Sequence, residues 1–160
     1  MEKNKPSTYW VQAAVIGSLY AALTLLLSPI SYGVMQVRIS EALTVLAMFT
    51  PAAIPGLTVG CFFANFLGPN GIIDAIIGSF ATLLGAIGTY KLRKSFYLAP
   101  LPPVIANALI VGPMLYYVYG VPFSLIYCVL WVGLGELISC YFGGLPLAKF
   151  LKRRRGDLGL

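Results

Sequence analysis

The stretch IIDAIIGSFATLLGAIGTY at residues 72–90, followed at once by Lys91-Leu92-Arg93-Lys94, carries the reading of this fold. It is about as long as a spanning helix needs to be, roughly 20 residues, and its one charge, Asp74, sits at its start. A basic cluster closes its far end, as expected where a helix leaves a bilayer on the cytoplasmic side. Working outward, prolines and glycines divide the remaining apolar sequence into further runs. Trp10 to Ser28 stops at Pro29, Val37 to Thr50 is closed by Pro51, and Ile54 to Leu67 ends in the turn Gly68-Pro69-Asn70-Gly71. After the basic loop, Leu101 to Tyr119 is separated by Gly120-Val121-Pro122 from Phe123 to Phe150.

The expectation is a single transmembrane domain over residues 1–160. Its fold is an all-α integral membrane protein of six transmembrane helices at about 10–28, 37–50, 54–67, 72–90, 101–119 and 123–150. Composition agrees: 160 residues that are 59% hydrophobic and 10% charged carry more apolar surface than a soluble domain of this size can hide. The formal net charge of +6 does not imply nucleic acid. Ten basic residues form three clusters, Lys3/Lys5, Lys91/Arg93/Lys94 and Lys149/Lys152/Arg153/Arg154/Arg155, each flanking an apolar run. All three fall on one side if both termini and the loop after the fourth run are cytoplasmic, because four crossings precede that loop and two follow it. The outward connections are then Pro29–Gln36, Gly68–Gly71 and Gly120–Pro122, without lysine or arginine, and Tyr116, Tyr117, Tyr119 and Phe123 form an outer aromatic belt. The first run follows two lysines but is too long for a secretory signal and is expected to stay as a helix.

Chemistry is limited by what is missing. The sequence has no histidine, no phosphate-cradling glycine loop ending in Lys-Ser/Thr and no nucleophile beside a base. Cys61, Cys128 and Cys140 lie in apolar runs without metal-ligand or disulfide spacing and read as small core residues. The expectation is therefore no enzyme, no cofactor and no metal. Neither an internal repeat nor a heptad seam is visible, which argues against a larger inverted-repeat transporter.

Four charges stand inside the apolar sequence: Arg38, Glu41, Asp74 and Glu136. Each costs about 2.5–3.5 kcal/mol on insertion scales and therefore needs a partner, a wet cavity or a role. Arg38 and Glu41 are three residues apart, so one helix face would let them pair or let both meet a ligand. Asp74 suits the first turn of its helix, with Asn70 as N-cap. Glu136, in Trp131-Val132-Gly133-Leu134-Gly135-Glu136, has no basic neighbour and is the strongest candidate for function. Asn65, Asn107 and Gln36 add neutral hydrogen-bonding groups that serve equally as glue between helices. Arg38, Glu41, Asn65, Asn70 and Asp74 read as outer-half positions, with Glu136 deeper, a distribution that suits a pocket opening outward. In the first run, Ala13, Gly17 and Ala21 form one small-residue stripe and Ala14, Ser18 and Ala22 another, either of which allows close helix approach.

Three segments carry a family resemblance: Val37-Arg38-Ile39-Ser40-Glu41-Ala42-Leu43, Phe63-Ala64-Asn65-Phe66-Leu67-Gly68-Pro69-Asn70-Gly71, and Gly133-Leu134-Gly135-Glu136. With them the chain resembles, over essentially its whole length, the QueT family of substrate-binding S components of energy-coupling factor (ECF) transporters for queuosine precursors. The resemblance implies six helices with cytoplasmic termini in a bacterial plasma membrane. It also implies a first helix that docks by small residues on a membrane coupling subunit, itself bound to two ATPases. The docking face would be Ala14, Ser18, Ala22 or Ala13, Gly17, Ala21. The implied ligand is 7-aminomethyl-7-deazaguanine, its nitrile precursor or queuine, whose guanine-like edge presents two adjacent N–H donors to one carboxylate. On that basis Glu136 is expected to accept the edge. Asp74 or Glu41 would face an exocyclic ammonium, Arg38 would hold Glu41, and Trp131, Tyr116 or Tyr117 would stack on the ring. The competing expectations are another vitamin-like ligand on the same architecture, or a stand-alone proton-coupled exchanger or exporter.

Overall fold

The computed structural model describes residues 6–32 and 36–158. Lys3 and Lys5, and part of the connection Pro29–Gln36, lie outside the described residues. The described chain is helical: α1 (Pro6–Leu26), the single turn α2 (Ser28–Ser31), a 3₁₀ helix (Ile39–Met48), α3 (Ala53–Leu67), α4 (Gly71–Lys91), α5 (Leu101–Tyr117), α6 (Leu125–Leu137), a π-helical segment (Ile138–Gly144) and α7 (Leu145–Leu158). Three helices are long and apolar enough to cross a membrane: Ser7–Leu26, Gly71–Lys91 and the continuous Leu125–Arg153. The 3₁₀ helix, α3 and α5 are shorter and also apolar.

The apolar surface is turned outward. On α4, Ile72, Ile76, Phe80 and Leu84 recur every four residues and are all exposed, and on α6 Ile126, Leu130 and Leu134 do the same. Four-residue spacing stacks side chains on one helix face, so these are continuous apolar stripes of the kind lipid solvates. Inside, α1 packs on α3, α3 on α4, α4 on α5 and α5 on α6. The 3₁₀ helix lies against the π segment, α4, α1, α7 and α3, and Ser40 to Val45 along it are buried.

The second apolar run is therefore wound differently from the α-helix expected over 37–50. Runs of 3₁₀ helix beyond three or four residues are uncommon, and this one has 10. At about 2.0 Å per residue, against about 1.5 Å in an α-helix, these residues reach about 20 Å rather than about 15 Å. Two features favour the tighter winding. Thr44 donates its hydroxyl to the Glu41 carbonyl at 2.6 Å, an i→i−3 contact that follows the 3₁₀ repeat. The three-residue period also lines Ala42 up with Val45, against which Gly143 and Gly144 of the π segment pack; a Cβ on those glycines would come within 2.9 Å and 2.8 Å of the two side chains. The final apolar run is likewise not uniform, because the π segment interrupts it from Ile138, two residues after Glu136.

The α1–α3 contact is made backbone to backbone. A Cβ on Gly60 would lie 2.5 Å from the Gly17 carbonyl oxygen, and one on Gly56 2.6 Å from that of Ala13. Small residues at such a crossing replace the hydrophobic drive that lipid removes. Gly60→Leu should therefore destabilise the protein by about 1–3 kcal/mol or more, read as a lowered thermal midpoint in detergent. An unchanged midpoint would mean that the two helices are not in contact there.

Basic groups gather at one end. A shallow groove is lined by Phe96, Tyr97, Lys149, Lys152 and Arg153, Tyr141 donates to the Tyr97 carbonyl at 3.0 Å, and the Lys152 ammonium lies 5.8 Å from the centre of the Phe96 ring. The loop after α4 and the basic face of α7 thus share a side. Tyr32 touches Gly68 and donates to the Ala64 carbonyl at 2.5 Å, which brings the end of α2 to the turn between α3 and α4.

Candidate ligand-binding site

The interior holds a polar network built from residues of α1, the 3₁₀ helix and its preceding Arg38, α3, α4, α5, α6 and the π segment. Arg38, Glu41, Asp74 and Glu136 are all buried, at 1%, 0%, 0% and 1% exposure. Because charges of this kind are costly to bury, their partners define what the site can do.

Arg38 stands one residue before the 3₁₀ helix, in extended conformation. Its Nη2 faces Asp74 Oδ2 at 3.5 Å, an ion contact wider than a normal hydrogen bond. Its Nε donates to the Ser31 carbonyl at 3.2 Å, and its guanidinium lies 5.6 Å from the centre of the Tyr32 ring. Asn65 braces the pair by donating to the Asp74 carbonyl at 3.1 Å. Gly78 makes room for this, since a Cβ there would meet Asn65 Nδ2 at 2.5 Å. Tyr119 lies within electrostatic range of Asp74 and Arg38.

The second half of the network surrounds Glu41. Tyr20 donates its hydroxyl to Glu41 Oε1, and Thr82 donates to the same oxygen at 3.4 Å. Thr82 also reaches Cys61 Sγ at 3.3 Å, and Arg38 Nη1 approaches that sulfur at 4.0 Å, so the two halves are joined. Across the 3₁₀–π contact, Cys140 Sγ lies 3.8 Å from Glu136 Oε2 and 3.7 Å from the Glu41 carbonyl oxygen. Glu41, Glu136 and Cys140 each place one ligand atom within 4.8 Å of the others, close enough to share a small cation. Asn107 lies beside Glu136 and donates to the Pro103 carbonyl at 3.1 Å.

Several of these groups have no hydrogen-bond partner: the acceptors Glu41 Oε2, Asp74 Oδ1 and Oδ2 and Asn65 Oδ1, the donors Gln36 Nε2 and Arg38 Nη2, and the Tyr119 hydroxyl; of these, Asp74 Oδ2 and Arg38 Nη2 face each other in the ion contact. An orphaned buried polar group costs about 1–3 kcal/mol, and these are mostly acceptors. The arrangement is therefore suited to a ligand rich in N–H donors.

Measured against the sequence, the structure brings Arg38, Glu41, Asn65, Asp74, Asn107 and Glu136 into one region and leaves Asn70, Trp131 and Tyr117 at its edge or outside it. Asn70 is half-buried in the N-cap position of α4 but makes no side-chain cap hydrogen bond. Trp131 packs at 5.4 Å on Tyr127, outside the network, and Tyr117 is 71% exposed. The expected Arg38–Glu41 pair does not form: Arg38 precedes the helix rather than lying on its face, so its side chain goes to Asp74 while Tyr20 takes Glu41. Glu41 is beside Glu136 rather than nearer the outside, because the 3₁₀ helix packs on the π segment. Two cysteines, Cys61 and Cys140, are buried as expected yet belong to the polar network; Cys128 alone packs in a purely apolar cluster.

Tyr20, Thr82 and Tyr32 were not legible as site residues. Tyr20 and Thr82 do fall at helical spacing from other inward residues, Tyr20 three beyond Gly17 and Thr82 four beyond Gly78, but nothing distinguishes them from ordinary core positions in sequence. The two small-residue stripes of α1 are separated clearly. Ala13 and Gly17 are buried against α3, whereas Ala14, Ser18 and Ala22 are exposed and Ala21 is half-buried. Ala14, Ser18 and Ala21 line an apolar groove between α1 and α3 together with Trp10, Val59 and Phe63.

A family profile described as QueT transporter matches residues 10–153. The chain is 33% identical over 170 residues to the queuosine precursor transporter QueT of Lactococcus lactis subsp. cremoris (strain MG1363), a similarity covering 96% of this chain and 97% of that protein. No solved structure matches it significantly.

Proposed function

The chain belongs to the QueT transporter family, a family of membrane transporters rather than enzymes, and on that premise we propose that it is the substrate-binding S component of an ECF-type importer for a queuosine precursor. The observation that carries the ligand reading is the buried set of acceptors without hydrogen-bond or ion partners, Glu41 Oε2, Asp74 Oδ1 and Asn65 Oδ1. A 7-deazaguanine offers a matching row of N–H donors. Glu136 accepts the guanine-like edge in a bidentate manner, Arg38 holds the Asp74 carboxylate in place, Asn65 braces the Asp74 backbone, and Asn107 stands beside Glu136. Tyr119 and Asn70 stand toward the turn between α3 and α4, the side from which ligand enters.

In this reading the chain crosses a bacterial plasma membrane six times with both termini cytoplasmic. The gathering of Lys149, Lys152 and Arg153 beside Phe96 and Tyr97 at one end supports this, since positive residues stay on the cytoplasmic side. The buried state of Ala13 and Gly17 leaves Ala14, Ser18 and Ala22 as the α1 face for the coupling subunit and, through it, two ATPases. Ser18→Trp is then expected to spare ligand binding while reducing co-purification with the coupling subunit at least about tenfold, a loss of about 1.4 kcal/mol. If co-purification survives both Ser18→Trp and Ala14→Trp, α1 is not the docking helix.

Uptake by proteoliposomes tests the mechanism. With the coupling subunit, ATPases and ATP, labelled 7-aminomethyl-7-deazaguanine should accumulate; the chain alone should not accumulate it under any proton gradient. Gradient-driven accumulation by the chain alone would make it an exchanger instead.

A further inference from the structure

The proposed ligands differ in charge: the aminomethyl compound and queuine carry an ammonium, whereas the nitrile is neutral. Among the described residues the buried network holds one guanidinium, Arg38, and three carboxylates, Glu41, Asp74 and Glu136. Arg38 makes its ion contact with Asp74. Glu41 and Glu136 are left within 4.8 Å of each other, with only neutral groups, Tyr20, Thr82 and Cys140, on their oxygens. Glu41 Oε2 is buried and has no partner at all. Two carboxylates this close are relieved by a shared proton or by positive charge beside them; Arg38 lies within electrostatic range of both, but its ion contact is with Asp74, and among the described residues no cationic side chain touches either one.

We infer that the Glu41–Glu136 pair is a cation-selecting element and that the ligand itself provides the cation, so that the protein takes amine-bearing 7-deazaguanines and discriminates against neutral ones. This rests on the proposed ligand class and narrows it. Glu41, the member with the free oxygen, faces the ammonium while Glu136 holds the N–H edge. Here the 3₁₀ and π windings bring two carboxylates from distant parts of the chain into contact in the interior.

The test is a competition series on the purified full chain in detergent, using 7-aminomethyl-7-deazaguanine, its nitrile and its N-acetylated form, repeated in Glu41→Gln. The acetylated compound keeps the linker but loses the charge. The amine is expected to bind about 30-fold or more tightly than the nitrile or the acetylated compound, the scale on which loss of one member of a buried charge pair registers. In Glu41→Gln that ratio should fall toward one; a ratio is read so that any general weakening by the substitution cancels. Equal binding of amine and nitrile to the unsubstituted chain would overturn the inference while leaving the ligand class intact. A preference that persists undiminished in Glu41→Gln would overturn the role given to Glu41. Failure of every 7-deazaguanine to bind would remove the ligand class and this inference together.

Discussion

Glu136→Gln should lower the affinity of the purified protein for 7-aminomethyl-7-deazaguanine by at least about 100-fold, or about 2.7 kcal/mol. The substitution preserves shape but turns one acceptor oxygen into an N–H donor, which then confronts a ligand edge that is itself all donor. It also removes a charge from a charge-assisted contact, which is roughly twice as strong as a neutral one. Stability should move the other way. Glu136 is 1% exposed and within 4.8 Å of Glu41, so neutralising it relieves a like-charge contact and the thermal midpoint should hold or rise. Loss of binding with an intact midpoint is a result that misfolding cannot imitate. Unchanged affinity would take Glu136 out of the site.

Arg38→Met should be the most destabilising single change in the network, by about 3–5 kcal/mol, because it strands Asp74 as an unpaired buried carboxylate. For a chain of this size that corresponds to a fall of about 6–20 °C in the thermal midpoint. Replacing both partners, as Arg38→Met with Asp74→Leu, should recover most of the loss, since well-packed apolar groups avoid the desolvation cost that the pair carries. If the double variant is no more stable than Arg38→Met, the ion contact is not what Arg38 contributes, and its bonds to Ser31 and its place over Tyr32 carry the effect instead.

The architecture was legible where physics acts locally. Apolar runs closed by Pro51, by Gly68-Pro69 and by Gly120-Val121-Pro122 correspond to helices ending at Met48, Leu67 and Tyr117 or beginning at Leu125, because clustered turn residues interrupt the backbone ladder there, although Pro55 and Pro113 are accommodated inside α3 and α5. The cost of burying charge likewise singled out Arg38, Glu41, Asp74 and Glu136 without any structure. Pairing among them was not legible. Sequence spacing assumes an ordinary α-helix through Arg38 and Glu41, and the actual helix begins at Ile39 and is wound as 3₁₀. That winding depends on tertiary fit, with Ala42 and Val45 against Gly143 and Gly144 about a hundred residues later. The π segment after Glu136 depends on the same contact. The paired stripes of α1 were ambiguous for a related reason: both have the spacing for close approach, and only Gly56 and Gly60 on the partner helix decide which one is consumed internally.

On the proposed function this chain alone captures a 7-deazaguanine through its buried carboxylates. The decisive measurement is equilibrium binding to the purified protein in detergent, with 7-aminomethyl-7-deazaguanine and queuine as ligands and guanine as control. Saturable binding of the two deazapurines, with guanine excluded, is the expected result; binding of neither, by a protein that melts cooperatively, would contradict it.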